Sequence, residues 1–202
     1  MVSVSHTPYP AMAAGGTATG TSPRVTDRTV ALVEEVRAVI ARGLPPDTTA
    51  YLVGAALAPH LGAAELLTPE QHEGDPTHYR QHLLHAEPGG GFSVVALVWL
   101  PGQATPVHDH VAWCVTGVHQ GEEHERRYQL LPADEPGGQA RLAPTQDVVS
   151  PAGSVAGFAP PGDIHRVWNG CETTAISLHI YGADISRLGT SVRRVYELPA
   201  DA

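Results

Sequence analysis

The chain contains no lysine: all twelve of its basic side chains are arginine, set against 21 Asp and Glu, for a formal charge of −9. Without a basic run, a nucleic-acid partner or an anionic membrane surface is not expected. Only two cysteines occur in 202 residues, too few to staple a small secreted scaffold. Phe, Trp and Tyr make up 5% of the residues, and no apolar run approaches the 18 residues of a membrane-crossing helix. The first 22 residues lack the basic start and apolar stretch of a secretory signal. These absences lead to the expectation of a cytoplasmic protein, monomeric or homodimeric. In contrast, Gly (21) and Pro (18) are plentiful, favouring short strands and turns over long helices. Histidine is the other excess: there are 12, as many as arginine. It is the commonest metal ligand and a proton carrier near neutral pH.

Along the chain, residues 1–22 are rich in Ala, Gly, Ser, Thr and Pro and read as a disordered tail. From 23 to 43, Val30, Val33, Val36 and Ile40 recur at helical spacing, with Pro23 and Asp27 suiting a start and Gly43 a stop. Residues 48–67 offer one or two more short helices, so 23–74 is expected to form a small α-helical cap. Beyond it, over 75–202, short β-rich runs alternate with Gly/Pro turns, the texture of a β-sandwich or small barrel. Asn169-Gly170 is a hairpin-turn signal.

Chemistry concentrates in two places. His108-Asp109-His110 lies in a β-like run, where residues i and i+2 share a face, about 7 Å apart along the strand. Two imidazoles so placed can grip one ion. Alone, the pair is more often a surface accident. Its surroundings alter that balance. Gly102, His108, His110, Cys114 and Gly121 keep the spacing of the first cupin motif, with Cys where that motif carries Glu. Pro160-Pro161-Gly162-Asp163-Ile164-His165-Arg166-Val167-Trp168-Asn169 matches the second motif. Farther on, Ser177-Leu178-His179-Ile180-Tyr181 alternates strictly, with Ser177, His179 and Tyr181 on one face and apolar residues on the other. On an isolated strand the polar face would meet water; after a cupin motif it is expected to point inward, with the helical cap covering the apolar face.

The chain thus resembles the cupin superfamily, and within it the cysteine dioxygenase type of thiol dioxygenase, over roughly residues 75–197. The resemblance implies a mainly β fold, the double-stranded β-helix or jelly-roll barrel. It implies Fe(II) held by His108, His110 and His165, and oxidation of a small thiol by O2 to its sulfinic acid. It implies that Tyr181 places its hydroxyl beside the reacting oxygen or substrate, that His179 hydrogen-bonds Tyr181, and that Ser177 orients His179. In mammalian-type members a Cys at the place of Cys114 is joined to the Tyr by a thioether. The gap after His110 is one residue shorter here, and the run through Trp113 resembles the bacterial branch. A Cys114–Tyr181 crosslink and a free buried Cys114 therefore both stand. Cys171 reads as an incidental thiol.

In cysteine-specific relatives an Arg in a Tyr-x-Arg run binds the substrate carboxylate; here the run is Tyr79-Arg80-Gln81, with Gln81 in that position. Relatives acting on 3-mercaptopropionate use an Arg beyond the Ser-His-Tyr strand, for which Arg187, Arg193 and Arg194 are the candidates. Tyr79, Gln81 and Trp113 complete the expected substrate contacts, with His82, His85 and Glu87 as polar neighbours. The substrate is thus 3-mercaptopropionate-, cysteine- or ergothioneine-like. Two other readings stay open: a three-His zinc or nickel hydrolase or isomerase, and a non-catalytic cupin that binds a small ligand. His6, His60, His72, His78, His119 and His124 are assigned to the surface.

Overall fold

The fold was analysed in a computed structural model, which describes residues 4–5, 25–132 and 140–197. Two helices come first, α1 (Asp27–Ile40) and α2 (Pro46–Leu57), followed by two short 3-10 turns. Thr26 caps α1 by accepting the Thr29 N–H, one residue before the expected start at Asp27. Pro46 opens α2 at a position where its missing N–H costs nothing. The rest is β-structure apart from one helical turn, α3 (Ile185–Leu188).

The strands are β1 (Val4–Ser5), β2 (Arg80–Ala86), β3 (Ser93–Trp99), β4 (Val107–His110), β5 (Cys114–Gln120), β6 (Glu122–Leu131), β7 (Arg141–Pro151), β8 (Val155–Phe158), β9 (His165–Trp168), β10 (Ala175–Tyr181) and β11 (Val192–Tyr196). They form two antiparallel sheets, ordered β1-β11-β4-β9-β6-β7 and β2-β3-β10-β5-β8. This mainly β double-sheet architecture is the double-stranded β-helix of the cupins. No helix among the described residues is long and apolar enough to cross a membrane.

Within the expected tail, Val4 and Ser5 pair with Tyr196 and Val195. The remainder of 1–22 lies outside the described residues. Asn169-Gly170 makes a turn but no hairpin, because β9 and the following strand β10 belong to different sheets.

Pleating sorts β3 and β10 into two cores. Val94, Ala96, Val98, Ile176, Leu178 and Ile180 face the helices and pack with Leu32, Val36, Val53, Leu57 and Leu66. Val95, Leu97, Trp99, Ala175 and Tyr181 face the barrel interior, beside Cys114 and Val167. Both faces of β10 are therefore covered, and the interior can carry polar side chains without a solvent face competing for them. Two histidines assigned to the surface are buried beneath this cap, His60 and His119. His119 accepts the Gly62 N–H at Nδ1 (3.2 Å), so the cap holds a polar contact as well as apolar ones.

Leu178, on β10, is fully buried against the helices. Leu178→Ala should destabilise the chain by about 2–5 kcal/mol in urea unfolding, whereas Leu188→Ala, at 56% exposure, should change stability by less than about 0.5 kcal/mol.

Candidate metal centre

His108 and His110 extend from one face of β4, and His165, the first residue of β9, stands opposite His108 in register. The three ring centroids lie 4.7–5.0 Å apart, and one nitrogen from each falls within 4.8 Å of the other two. All three side chains are buried.

Each ring spends its Nδ1 on a fixed partner. That of His108 meets the Pro106 carbonyl at 3.0 Å, that of His110 meets Asp163 Oδ2 at 3.1 Å, and that of His165 meets Glu125 Oε1 at 2.7 Å. A ring that donates from Nδ1 presents the bare lone pair of Nε2. His165 Nε2 is buried with no hydrogen-bond partner. An orphaned acceptor there is costly in isolation, and a cation at the centre of the trio would satisfy it. The residues therefore fit a metal ion.

Electrostatics agree. Burial, reinforced by its histidine neighbours, holds the His108 imidazolium well below its usual range. Burial pushes His110 down to about 4 despite the hydrogen bond to Asp163. Both rings are thus neutral near pH 7, as a ligand must be. Burial opposes ionisation of Glu125, but hydrogen bonds from His165 and Arg127 outweigh it and hold its carboxyl at about 2. Asp163 also accepts the His110 backbone N–H at 2.8 Å, and hydrogen bonds from His110 overcome its burial to lower its pKa. The two carboxylates place negative charge one layer behind the rings.

A second chain of groups shares the cavity. Tyr181 Oη lies 3.1 Å from His179 Nδ1, His179 Nε2 lies 3.0 Å from Ser177 Oγ, and Ser177 Oγ accepts the Trp99 indole N–H at 3.0 Å. This is the inward orientation expected for the Ser-x-His-x-Tyr face. With its proton on Nδ1, His179 donates to Tyr181, which keeps its own hydrogen for the cavity; with it on Nε2, Tyr181 donates to the ring. Glu123, buried, sets Oε2 3.6 Å from His179 Nε2, and that oxygen has no hydrogen-bond partner.

The cavity is lined by the three histidines together with His179, Tyr181, Tyr79, Gln81, Trp99, Thr105 and the segment 189–192. Tyr79 stacks on Trp99 at 4.4 Å. Gln81 reaches the interior because it pairs with Leu97, an inward residue of β3.

Four expected substrate contacts lie elsewhere. Arg193 and Arg194 bind Asp109 (2.7 and 2.5 Å), which also accepts from Tyr196. Asp109 alternates with the two histidines along β4, so its side chain and its arginines occupy the opposite face. Arg187 pairs with Asp184 at 3.0 Å and is 70% exposed. Trp113 packs against Gly182, where an added Cβ would lie 2.2 Å from the indole nitrogen, and it does not line the cavity. The polar neighbours His82 and His85 also turn outward, to the Glu73 carbonyl and to Glu87. Cys114 faces Tyr181 across the β5–β10 ladder, fully buried and in no disulfide, and burial pushes its thiol pKa well up.

Sequence reading missed Asp163, Glu125, Glu123 and Trp99. Asp163 carried a signal, being two residues before His165 within the second motif. The two glutamates carried only their alternation along β6, whose inner face was not recognised.

Fold and site together define a cupin-type barrel with a cluster of three histidines that could hold a metal ion. The sequence profile of cysteine dioxygenase type I matches residues 71–190, and the chain belongs to that family. Solved structures resembling it include a Klebsiella pneumoniae protein with a double-stranded β-helix domain (14% identity, 60% of this chain and 92% of that one, TM-score 0.44). Others are a cupin superfamily protein from Desulfitobacterium hafniense (14%, 61% and 95%, 0.42) and an oxalate oxidase (17%, 64% and 62%, 0.42).

Asp163→Ala removes the group that fixes the His110 ring. Metal affinity measured by competition with a chelator should fall about 10- to 100-fold while the circular dichroism stays native.

Proposed function

We propose that the chain is a mononuclear non-haem iron thiol dioxygenase, converting R–SH and O2 to the sulfinic acid R–SO2H. The observation that supports this most strongly is the sharing of one cavity by a three-imidazole cup and the Tyr181–His179–Ser177 chain. A ferrous ion held by His108, His110 and His165 would supply open positions for a thiolate and dioxygen together. The carboxylates of Asp163 and Glu125 keep the His110 and His165 rings aimed. Tyr181, held by His179, offers a hydroxyl whose proton can be donated into the cavity or withdrawn from it. Ser177, fixed by the Trp99 N–H, keeps His179 in register with Tyr181.

The thiol is recognised without a guanidinium, since no arginine is among the described residues that line the cavity. Gln81, Thr105, Thr190 and Ser191 instead provide neutral polar groups, beside the aromatic surface of Tyr79 and Trp99. A compact carboxylate such as cysteine or 3-mercaptopropionate loses the bidentate pairing that an arginine gives. A thiol carried on a flat ring, as in an ergothioneine-like substrate, gains stacking contact and fits this lining better.

The deciding experiment is oxygen uptake by the iron-loaded protein over a panel of cysteine, cysteamine, 3-mercaptopropionate and ergothioneine, with product mass. A gain of two oxygens on one thiol supports the proposal. Metal-dependent turnover of another substrate class without oxygen uptake would instead favour a zinc or nickel hydrolase or isomerase on the same cup. Tyr181→Phe should retain iron and lose turnover by about a hundredfold or more; unchanged turnover refutes its role. Replacing His108, His110 or His165 by Ala should abolish iron retention.

A further inference from the structure

Outside the three-histidine cup, the described residues bring together one other trio of metal-ligating side chains, Glu122, His124 and Cys171. We propose that these three form a second metal site, independent of the thiol dioxygenase reading, that binds a borderline-soft divalent ion of the Zn2+ type. Their donor atoms lie within 4.8 Å of one another. Both Cys171 Sγ (2.8 Å) and His124 Nε2 (3.0 Å) converge on Glu122 Oε1.

The trio is built by the backbone. Glu122 and His124 are i and i+2 on the outer face of β6, while Glu123 between them faces the interior and His179. Cys171 comes from the turn after β9. Asn169, 1% exposed, anchors that turn by accepting the Cys171 N–H at 2.9 Å and donating to the carbonyls of Trp99 and Thr173. Gly170 leaves room for the imidazole: a Cβ there would lie 2.7 Å from His124 Nε2. The ring is steadied on its other side by Trp168, at 5.4 Å between centroids.

The ligand types suit such an ion. Thiolate, imidazole and carboxylate are the three donors zinc prefers, and three protein ligands leave a fourth position for water. On binding, Cys–SH releases its proton to solvent as the sulfur–metal bond forms, and the imidazole proton moves to Nδ1. The set then carries one thiolate and one carboxylate charge, which neutralise a divalent cation. Without the ion, the hydrogen bond to Glu122 keeps the thiol protonated, with its pKa raised. An ion here fastens the turn after β9, the strand that begins with His165, to β6.

The test uses the full-length iron-loaded protein with Zn2+ or Co2+ alone as the probe. Zn2+ should slow alkylation of Cys171, followed by peptide mass, by roughly tenfold or more as the thiolate becomes a ligand. Co2+ should give a sulfur-to-metal charge-transfer band in the wild type and in Cys114→Ser, weakened in His124→Gln and absent in Cys171→Ser. An alkylation rate indifferent to Zn2+, or a band that survives Cys171→Ser, overturns the proposal. The wild-type alkylation measurement stands even if a variant folds poorly.

Discussion

The site depends on the pairing of imidazole with carboxylate at one remove from the metal position. His110 and His165 each lean on an acid, Asp163 and Glu125, that is itself held ionised by hydrogen bonds. If an acid coordinated directly, it would lower the charge of the ion and occupy a position a substrate needs. Set behind the rings, the acids can offset the charge of an ion through the imidazoles without ligating it themselves. Position 114 carries Cys where the first cupin motif carries Glu, and the acids near the cup are Asp163 and Glu125, behind the rings.

The double cover on β10 makes this arrangement possible. Its apolar face is sealed by α1 and α2, so hydrophobic burial is satisfied from outside the barrel. The opposite face is then free to carry Ser177, His179 and Tyr181 in a row. A half-buried strand normally turns its apolar set inward; here a helical layer reverses that preference. Asp109 plays a comparable part on β4, tying the outward side of the ligand strand to β11 through two arginines and a tyrosine.

Much of this was legible in the sequence because the defining signals are local. His108 and His110 are two apart on a strand, His165 sits in a compact Pro/Gly motif, and the Ser-His-Tyr alternation fixes its own face. What escaped were contacts between distant strands. Glu125 reaches His165 across 40 positions, and Trp99 reaches Ser177 across 78. The arginine assignments failed for a physical reason: β11 is paired with β4, and Arg194 is matched in register with the outward Asp109. Trp113 failed because the chain leaves β4 through a bend before entering β5, which carries the indole toward Gly182 instead of the cavity.

The clamp on Asp109 makes the far end of the chain part of the foundation beneath the cup. A protease that trimmed the polypeptide back past Val192 would strip away Arg193, Arg194 and Tyr196, leaving Asp109 without these three partners. Damage at that remote edge would then reach directly the strand that carries His108 and His110.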